Sequence, residues 1–185
     1  MSAAYLTLLA VLLAGFGSRD QVTVAGLTAS QGARPALLVV ALAVTCVTTG
    51  FAAWAGSIVA PEIVPQARLV LAALALALAG IESLVIVPRA RPAEPTHSLG
   101  AAAVVLLAHQ LTDAARFLVF GIAVLTLAPV PAGIGGLLGG IALLVAAWSA
   151  PALAAGPKTR LFRRLIGAGL LLLAVWLALG ATGIL

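Results

Sequence analysis

The sequence predicts an all-α, polytopic membrane protein with six transmembrane helices in two inverted three-helix repeats. Composition, the spacing of turn signals and the distribution of charge support this prediction. Hydrophobic residues make up 63% of the 185 residues and charged residues only 8%, and the mean hydropathy is +1.23. A soluble domain carries about 25% charged residues, so this chain lacks the polar residues needed to cover a water-exposed surface.

Pro- and Gly-containing turn signals bound six long apolar segments. Apolar segments of about 20 residues match the thickness of the hydrocarbon core of a bilayer. The predicted spans are residues 3–30, 36–60, 68–87, 99–127, 133–155 and 161–185. The first is expected to be a spanning helix and not a signal peptide, because no basic residue precedes its apolar run.

The basic residues lie mainly between alternate spans. Seven lie in or beside the first, third and fifth loops: Arg34, Arg89, Arg91, Lys158, Arg160, Arg163 and Arg164. The second and fourth loops hold only Arg68. The positive-inside rule therefore places the odd-numbered loops in the cytoplasm and both termini outside it. The abundance of Arg and Ala is typical of a GC-rich bacterium, so the expected location is a bacterial inner membrane.

The two halves of the chain resemble each other. FAAWAGSIVAP in the second span resembles VAAWSAPALAA in the fifth, and RLVLAALALALA in the third resembles RLIGAGLLLLAV in the sixth. Asp20 and Asp113 interrupt the first and fourth spans. Because each copy has three spans, the copies must face opposite ways, which is a transporter architecture. The predicted units are residues 1–88, a solvated linker at 89–98, and residues 99–185.

Several functional classes are not expected. The single cysteine, Cys46, excludes an intramolecular disulfide and a cysteine-cluster metal site. The formal charge of +5 forms no aromatic-interleaved patch, so nucleic acid is not an expected partner. No phosphate-loop motif follows a strand, and no nucleophile stands beside His109 and Asp113, so we expect neither an enzyme nor a cofactor. The expected partners are the bilayer and a transported ion or small solute.

Charged residues inside the first and fourth spans are the candidate site. Each costs about 2.5–3.5 kcal/mol at the bilayer centre when unpaired, so these residues should face the interior, a wet cavity or each other. His109, Asp113 and Arg116 have the spacing i, i+4, i+7, which places them on one face of a continuous helix. Arg19 and Asp20 are adjacent and point about 100° apart.

The simplest arrangement is a crossed one between the two spans. Asp20 is expected to pair with Arg116, and Asp113 with Arg19. Neutral side chains complete the expected hydrogen bonding: Ser18, Gln21, Gln110 and Thr112. The alternative is that the cluster only locks the two repeats together.

Other residues near the spans have simpler expectations. Gly15 and Gly17 permit close helix approach or a local break beside the charged pair. Glu82 is expected to be interfacial, near the end of the third span. His109 is either an interhelical hydrogen bonder or a proton relay one turn from Asp113.

Two short motifs carry a family resemblance. GFGSRDQ and QLTDAAR resemble the repeated E-x-G-D-[KR]-[TS] motifs of the Gdt family of manganese/calcium–proton exchangers, relatives of the lysine exporter superfamily. The first motif keeps Gly17, Arg19 and Gln21. Gly15 stands at its Glu position and Ser18 at its Asp position.

The second motif departs further from the family pattern. It keeps Asp113, while Gln110, Thr112 and Ala114 stand at its Glu, Gly and basic positions. In the first motif, Asp20 stands where Thr or Ser is usual. By architecture the resemblance covers nearly the whole chain, and it implies a divergent member.

The resemblance implies a secondary transporter of Mn²⁺ or Ca²⁺, coupled to protons. Asp113 and Asp20 would then be the metal ligands or proton acceptors, with His109 as a relay and Arg19 and Arg116 as charge-compensating partners. Two alternatives remain open at this point. One is a transporter of a small anion or zwitterion such as an amino acid, which the two arginines favour because guanidinium binds carboxylate bidentately. The other is a non-transporting membrane scaffold.

Overall fold

The protein is all-helical wherever the structure describes it. The computed structural model describes residues 2–88, 97–154 and 156–182, and these ranges contain no strand. The helices are α1 (Ser2–Gly15), α2 (Arg19–Gln31), α3 (Pro35–Glu62), α4 (Pro65–Val85), α5 (Leu99–Leu111), α6 (Ala114–Thr126), α7 (Pro129–Ser149) and α8 (Pro157–Ala181). A 3₁₀ turn at Pro151–Leu153 precedes α8. Most of the predicted linker (residues 89–96) and residues 183–185 lie outside the described ranges.

Among the described residues, four helices are long and apolar enough to cross a membrane: α3, α4, α7 and α8. The pairs α1–α2 and α5–α6 raise this number to six if each bent pair is one span. The all-α class and its apolar spans are thus confirmed for the described residues, and the helices indicate a membrane protein.

Proline marks the start of all four long helices. Pro35, Pro65, Pro129 and Pro157 are the first residues of α3, α4, α7 and α8. The first turn of a helix has backbone N–H groups without intrahelical partners, so the missing N–H of proline costs nothing there. These prolines are the turn signals that separate the predicted spans.

The predicted spans at residues 3–30 and 99–127 are each a bent pair of helices. The sequence allowed for the first break, at Gly15 and Gly17, but not for the second. The first of these spans is α1 and α2, bent by 58°, and the fourth is α5 and α6, bent by 50°. The breaks fall at the charged motifs, between Gly15 and Arg19 and between Leu111 and Ala114. The charged residues therefore lie at helix ends, where backbone polar groups are free to bond with them.

The outward surface of the helices is apolar. Large exposed side chains include Tyr5, Val47, Trp54, Leu78, Leu172 and Trp176. A soluble protein rarely exposes so extensive an apolar surface, whereas acyl chains solvate it well. This exposure agrees with the membrane location that helix length and composition indicate.

Helix α6 occupies the centre of the bundle, and small residues let the helices approach closely. Helix α6 contacts α1, α3, α4, α5 and α7, and α4 packs along α8. A Cβ on Gly80 of α4 would lie 2.9 Å from the Gly167 carbonyl oxygen of α8, and one on Gly121 of α6 would lie 2.9 Å from the Ala75 Cβ of α4. Such close packing is what holds helices together in a bilayer.

Candidate functional site

The first break is built by glycine and glutamine. Gly17 has a φ of +72°, which glycine adopts without strain, and Ser18 is the N-cap residue of α2. The Gly17 amide donates to Gln21 Oε1, and Gln21 Nε2 donates to the Leu143 carbonyl oxygen of α7 over 3.0 Å. The Gln21 side chain therefore bonds a backbone N–H that the break leaves free, and it also connects the break to α7.

Asp20 lies in the first turn of α2 and is held by neutral donors. It is 4% exposed. It accepts hydrogen bonds from the Ser18 hydroxyl, from the backbone N–H of Gln21 over 2.8 Å and from Gln110 Nε2 over 3.0 Å. The positive end of the α2 dipole also favours a carboxylate at this position.

Asp113 occupies the corresponding place at the second break. It is the N-cap residue of α6 and accepts from the Ala115 amide over 3.4 Å. Arg116 Nη1 lies 3.6 Å from Asp113 Oδ2, which is a loose contact compared with the roughly 2.7–2.9 Å of a strong ion pair. Asp113 Oδ1 is buried and has no hydrogen-bond partner.

Arg19 connects the two breaks. Its Nη2 donates to the Thr112 carbonyl oxygen over 2.7 Å and to Thr112 Oγ1 over 2.8 Å, at the C-terminal end of α5. Its Nε lies 3.4 Å from Glu82 Oε1. The last carbonyl oxygens of a helix have no intrahelical donors, so a guanidinium is well placed there.

Threonines of α3 join the two motifs into one buried network. Gln110 Nε2 donates to Thr45 Oγ1 over 2.9 Å, and Thr48 Oγ1 donates to Gln110 Oε1 over 2.9 Å. Arg116 Nε donates to Thr48 Oγ1 over 3.1 Å. The network thus runs from Asp20 through Gln110 and the threonines to Arg116 and Asp113.

Glu82 and Arg163 form a second buried pair beside this network. Arg163 Nη2 donates to Glu82 Oε2 over 2.9 Å, and both residues are buried. Glu82 lies three residues before the end of α4 and is buried between helices, and its expected place at the membrane interface stays a prediction. Arg163, which was counted with the fifth-loop charges, lies inside the bundle because α8 begins six residues before it.

The crossed pairing expected from the sequence is wrong. In the ranges that the structure describes, the ion pairs are Arg19–Glu82, Arg116–Asp113 and Arg163–Glu82. Asp20 and Arg116 meet only through Gln110 and Thr48. The physical reason is the two bends, which carry Arg19 toward α4 and the end of α5.

His109 belongs to the site less directly than expected. Its Nδ1 lies 3.2 Å from Thr23 Oγ1, and the side chain is half-buried. Helix α5 ends at Leu111, so His109 does not share a continuous helical face with Asp113 and Arg116. Its expected role as a relay to Asp113 stays a prediction.

Of the predicted site residues, Ser18, Asp20, Gln21, Gln110, Asp113 and Arg116 are buried at or between the breaks. Thr112 and Arg19 meet at the second break. Sequence reasoning missed Thr45 and Thr48, although the polar spacing in VTCVTTG (residues 44–50) was a signal for them. It also missed that Glu82 and Arg163 are opposite charges within two long apolar segments.

The described residues contain no group of three or more His, Cys, Asp or Glu side chains that could hold a metal ion. The site instead combines two separated carboxylates, two guanidinium groups, the side-chain amides of two glutamines and several hydroxyls. These groups belong to Asp20, Asp113, Arg19, Arg116, Gln21, Gln110, Ser18, Thr45, Thr48 and Thr112. Such a set can bind a charged solute through a few direct contacts and can exchange protons or hydrogen bonds along the network. No family model matches the chain, and neither a curated protein nor a solved structure shows significant similarity to it.

Proposed function

We propose that this protein is a secondary membrane transporter, and not an enzyme, whose substrate binds between the two helix breaks. Both broken helices place a carboxylate at the start of their second half, Asp20 in α2 and Asp113 in α6. Broken helices with free backbone groups and buried polar side chains are tolerated in a membrane where they line a site or a wet cavity. This combination supports transport.

The proposed substrate is a divalent cation, Mn²⁺ or Ca²⁺, exchanged for protons. The observation that carries this is the buried Asp113 Oδ1, which has no partner. A carboxylate oxygen without a partner is costly in a low-dielectric interior, and a cation or a proton would satisfy it. Asp20 supplies the second carboxylate, and Thr45 and Thr48 offer the hydroxyl oxygens that hard cations accept.

Arg116 has a definite role in this proposal. Its loose contact of 3.6 Å with Asp113 makes it an internal cation that a substrate ion displaces. The guanidinium then keeps its hydrogen bond to Thr48 Oγ1. Repulsion between Arg116 and the bound ion would limit affinity, which favours release after transport.

The proposed architecture is a pair of inverted repeats, with membership of the Gdt family as a divergent chain. In this proposal, α1 to α4 correspond to α5 to α8. The contacts that support it are α1 with α6 and its counterpart α5 with α2, together with contacts of α3 with α7 and of α4 with α8. The proposed location is a bacterial inner membrane, with both termini outside the cytoplasm.

The direct test is cation entry into proteoliposomes. Purified protein is reconstituted with a Mn²⁺- or Ca²⁺-sensitive dye inside, with and without a pH gradient. We expect gradient-dependent entry, reduced to the level of empty liposomes by Asp113→Asn, which retains a side chain able to cap α6. Glu62→Gln is the matched control, because it makes the same charge change at an exposed position.

A small anion or zwitterion is the second candidate substrate. Arg116 Nη2 is buried without a hydrogen-bond partner. Arg116 and Thr48 line a cavity of about 420 Å³ whose other walls are apolar. A substrate carboxylate would satisfy that nitrogen. Uptake of labelled amino acids in the same liposomes, lost in Arg116→Gln, would favour this candidate over the cation. Absence of any flux from folded protein would favour the scaffold alternative.

A further inference from the structure

A second cavity lies between the first helix break and the start of α8. Its volume is about 270 Å³. Gly17 of the first break lines it, as do Ala154 and Gly156 of the turn before α8. The residues that bear on its chemistry are Gly17, Gly156, Thr159, Arg160 and Arg163.

Arg163 lines this cavity with unused donors. The residue is 3% exposed, and its Nη2 is occupied by Glu82 Oε2. Its Nε and Nη1 are buried and have no hydrogen-bond partner. A guanidinium offers five N–H donors, and leaving charged donors unsatisfied in the interior is expensive. Arg163 therefore has two donors that lack an acceptor, on a residue that lines the cavity.

The other lining groups are also suited to an anion. Thr159, Arg160 and Arg163 follow Gly156 at i+3, i+4 and i+7, so all four share one face of the first turns of α8. Helix α8 has 25 residues, and the free amides of its first turn carry the positive end of its dipole. Glu82 is the carboxylate that contacts Arg163, and it bonds only to Nη2 of the Arg163 guanidinium.

We propose that this cavity binds a phosphate group, either as inorganic phosphate or as the headgroup of an anionic lipid. The free Arg163 Nε and Nη1, the Arg160 guanidinium and the Thr159 hydroxyl are donors on residues that line the cavity, and a phosphate has enough oxygens to accept from them. Gly17 allows Thr159 to approach the first break closely, because a Cβ at Gly17 would overlap the Thr159 methyl group.

Calorimetric titration of the detergent-purified, full-length protein with sodium phosphate tests the site directly. The ionic strength is held constant with sodium chloride, so that chloride is the reference anion. Arg160→Gln is expected to weaken phosphate binding about tenfold. Arg164→Gln is the matched control, because both arginines are exposed on α8 but only Arg160 lines the cavity; its affinity should stay within about twofold of the parent.

Arg163→Lys tests the buried donor without removing the charge that faces Glu82. Lysine presents a single ammonium in place of the planar fork, so phosphate affinity should again fall about tenfold. Thermal unfolding of the same sample shows whether the variant is folded. A folded Arg163→Lys protein with unchanged phosphate affinity would overturn the proposal.

A second experiment, with lipids, distinguishes a lipid headgroup from free phosphate as the ligand. The protein is placed in nanodiscs of phosphatidylcholine with or without phosphatidic acid, and retained lipid is measured by native mass spectrometry. Retention of phosphatidic acid that is reduced in Arg160→Gln, but not in Arg164→Gln, identifies the lipid headgroup. Phosphate binding without lipid preference identifies the free anion. The proposal is contradicted if phosphate binds no better than chloride and phosphatidic acid is retained no better than phosphatidylcholine. It is also contradicted if Arg160→Gln and Arg164→Gln weaken binding equally.

Discussion

The Glu82 carboxylate is shared by two arginines from different helices. Arg163 Nη2 of α8 donates to Glu82 Oε2 over 2.9 Å, and Arg19 Nε of α2 lies 3.4 Å from Glu82 Oε1. Glu82 is 5% exposed and belongs to α4. One buried carboxylate therefore connects the first helix break to the packed pair α4–α8.

Removing this carboxylate charge should destabilise the protein strongly. Glu82→Gln leaves two guanidinium groups without their counter-charge, and breaking a buried ion pair in this way costs about 3–5 kcal/mol. The free energy of unfolding in detergent, measured by denaturant titration, is the readout. Glu62→Gln, at an exposed position of α3, should change it by less than about 0.5 kcal/mol. Equal effects of the two substitutions would mean that the Glu82 ion pairs do not stabilise the bundle.

Gly17→Ala should be more harmful than the same change at another glycine with positive φ. At Gly17 (φ +72°) the new Cβ overlaps the Thr159 methyl group, whereas Gly32 (φ +83°) has no atom within 4 Å of that position. Gly32→Ala therefore measures backbone strain alone, about 1–3 kcal/mol. Thermal unfolding should show a larger loss for Gly17→Ala. A loss no greater than that of Gly32→Ala would argue against tight packing between the first break and α8.

Gln110 should be needed for both stability and transport. Gln110→Leu removes the hydrogen bonds to Asp20, Thr45 and Thr48, and each buried group left unsatisfied costs about 1–3 kcal/mol. Gln66→Leu makes the same change at an exposed position of α4 and is expected to be neutral within about 0.5 kcal/mol. Unfolding and liposome flux are measured for both variants. Full flux in Gln110→Leu would exclude the network as the transport site.

The glycines of α7 should be needed for close contact with α1. A Cβ at Gly135 would overlap the Ala4 carbonyl oxygen, so Gly135→Ala forces the two helices apart, at a cost of about 1–3 kcal/mol. Gly50→Ala is the control, since nothing lies within 4 Å of its Cβ position in α3. There alanine should stabilise the helix by up to about 1 kcal/mol. Opposite signs in thermal unfolding would confirm the packing, and a common sign would contradict it.

Part of the site follows from local sequence signals. The first break needs a residue that accepts positive φ, and Gly17 provides it next to two charged residues. Asp113 caps α6 with its own side chain. The motif QLTDAAR therefore contains a local signal for a helix that begins after Asp113. The i, i+4, i+7 spacing of His109, Asp113 and Arg116 was misleading because it presupposes one continuous helix.

The choice of ionic partners did not follow from the sequence. When the spans are treated as straight rods, the sequence does not distinguish which of Arg19 and Arg116 pairs with which aspartate. Bends of 58° and 50° change which helix ends meet, so Arg19 reaches Thr112 and Glu82 and no aspartate. The pairing of Glu82 with Arg163 depends on how α4 packs against α8, which position along the chain does not reveal.

The sequence by itself determined that the chain is helical and suited to a membrane, since composition and proline spacing act locally along each segment. It also identified which segments carry the polar residues, because few apolar segments contain any. Only the tertiary structure decided that Gln110 and the α3 threonines link the two motifs, and that Glu82 pairs with Arg163. Those contacts depend on helix rotation and bend, which are set by packing of small residues such as Gly80 and Gly121 between helices distant in sequence.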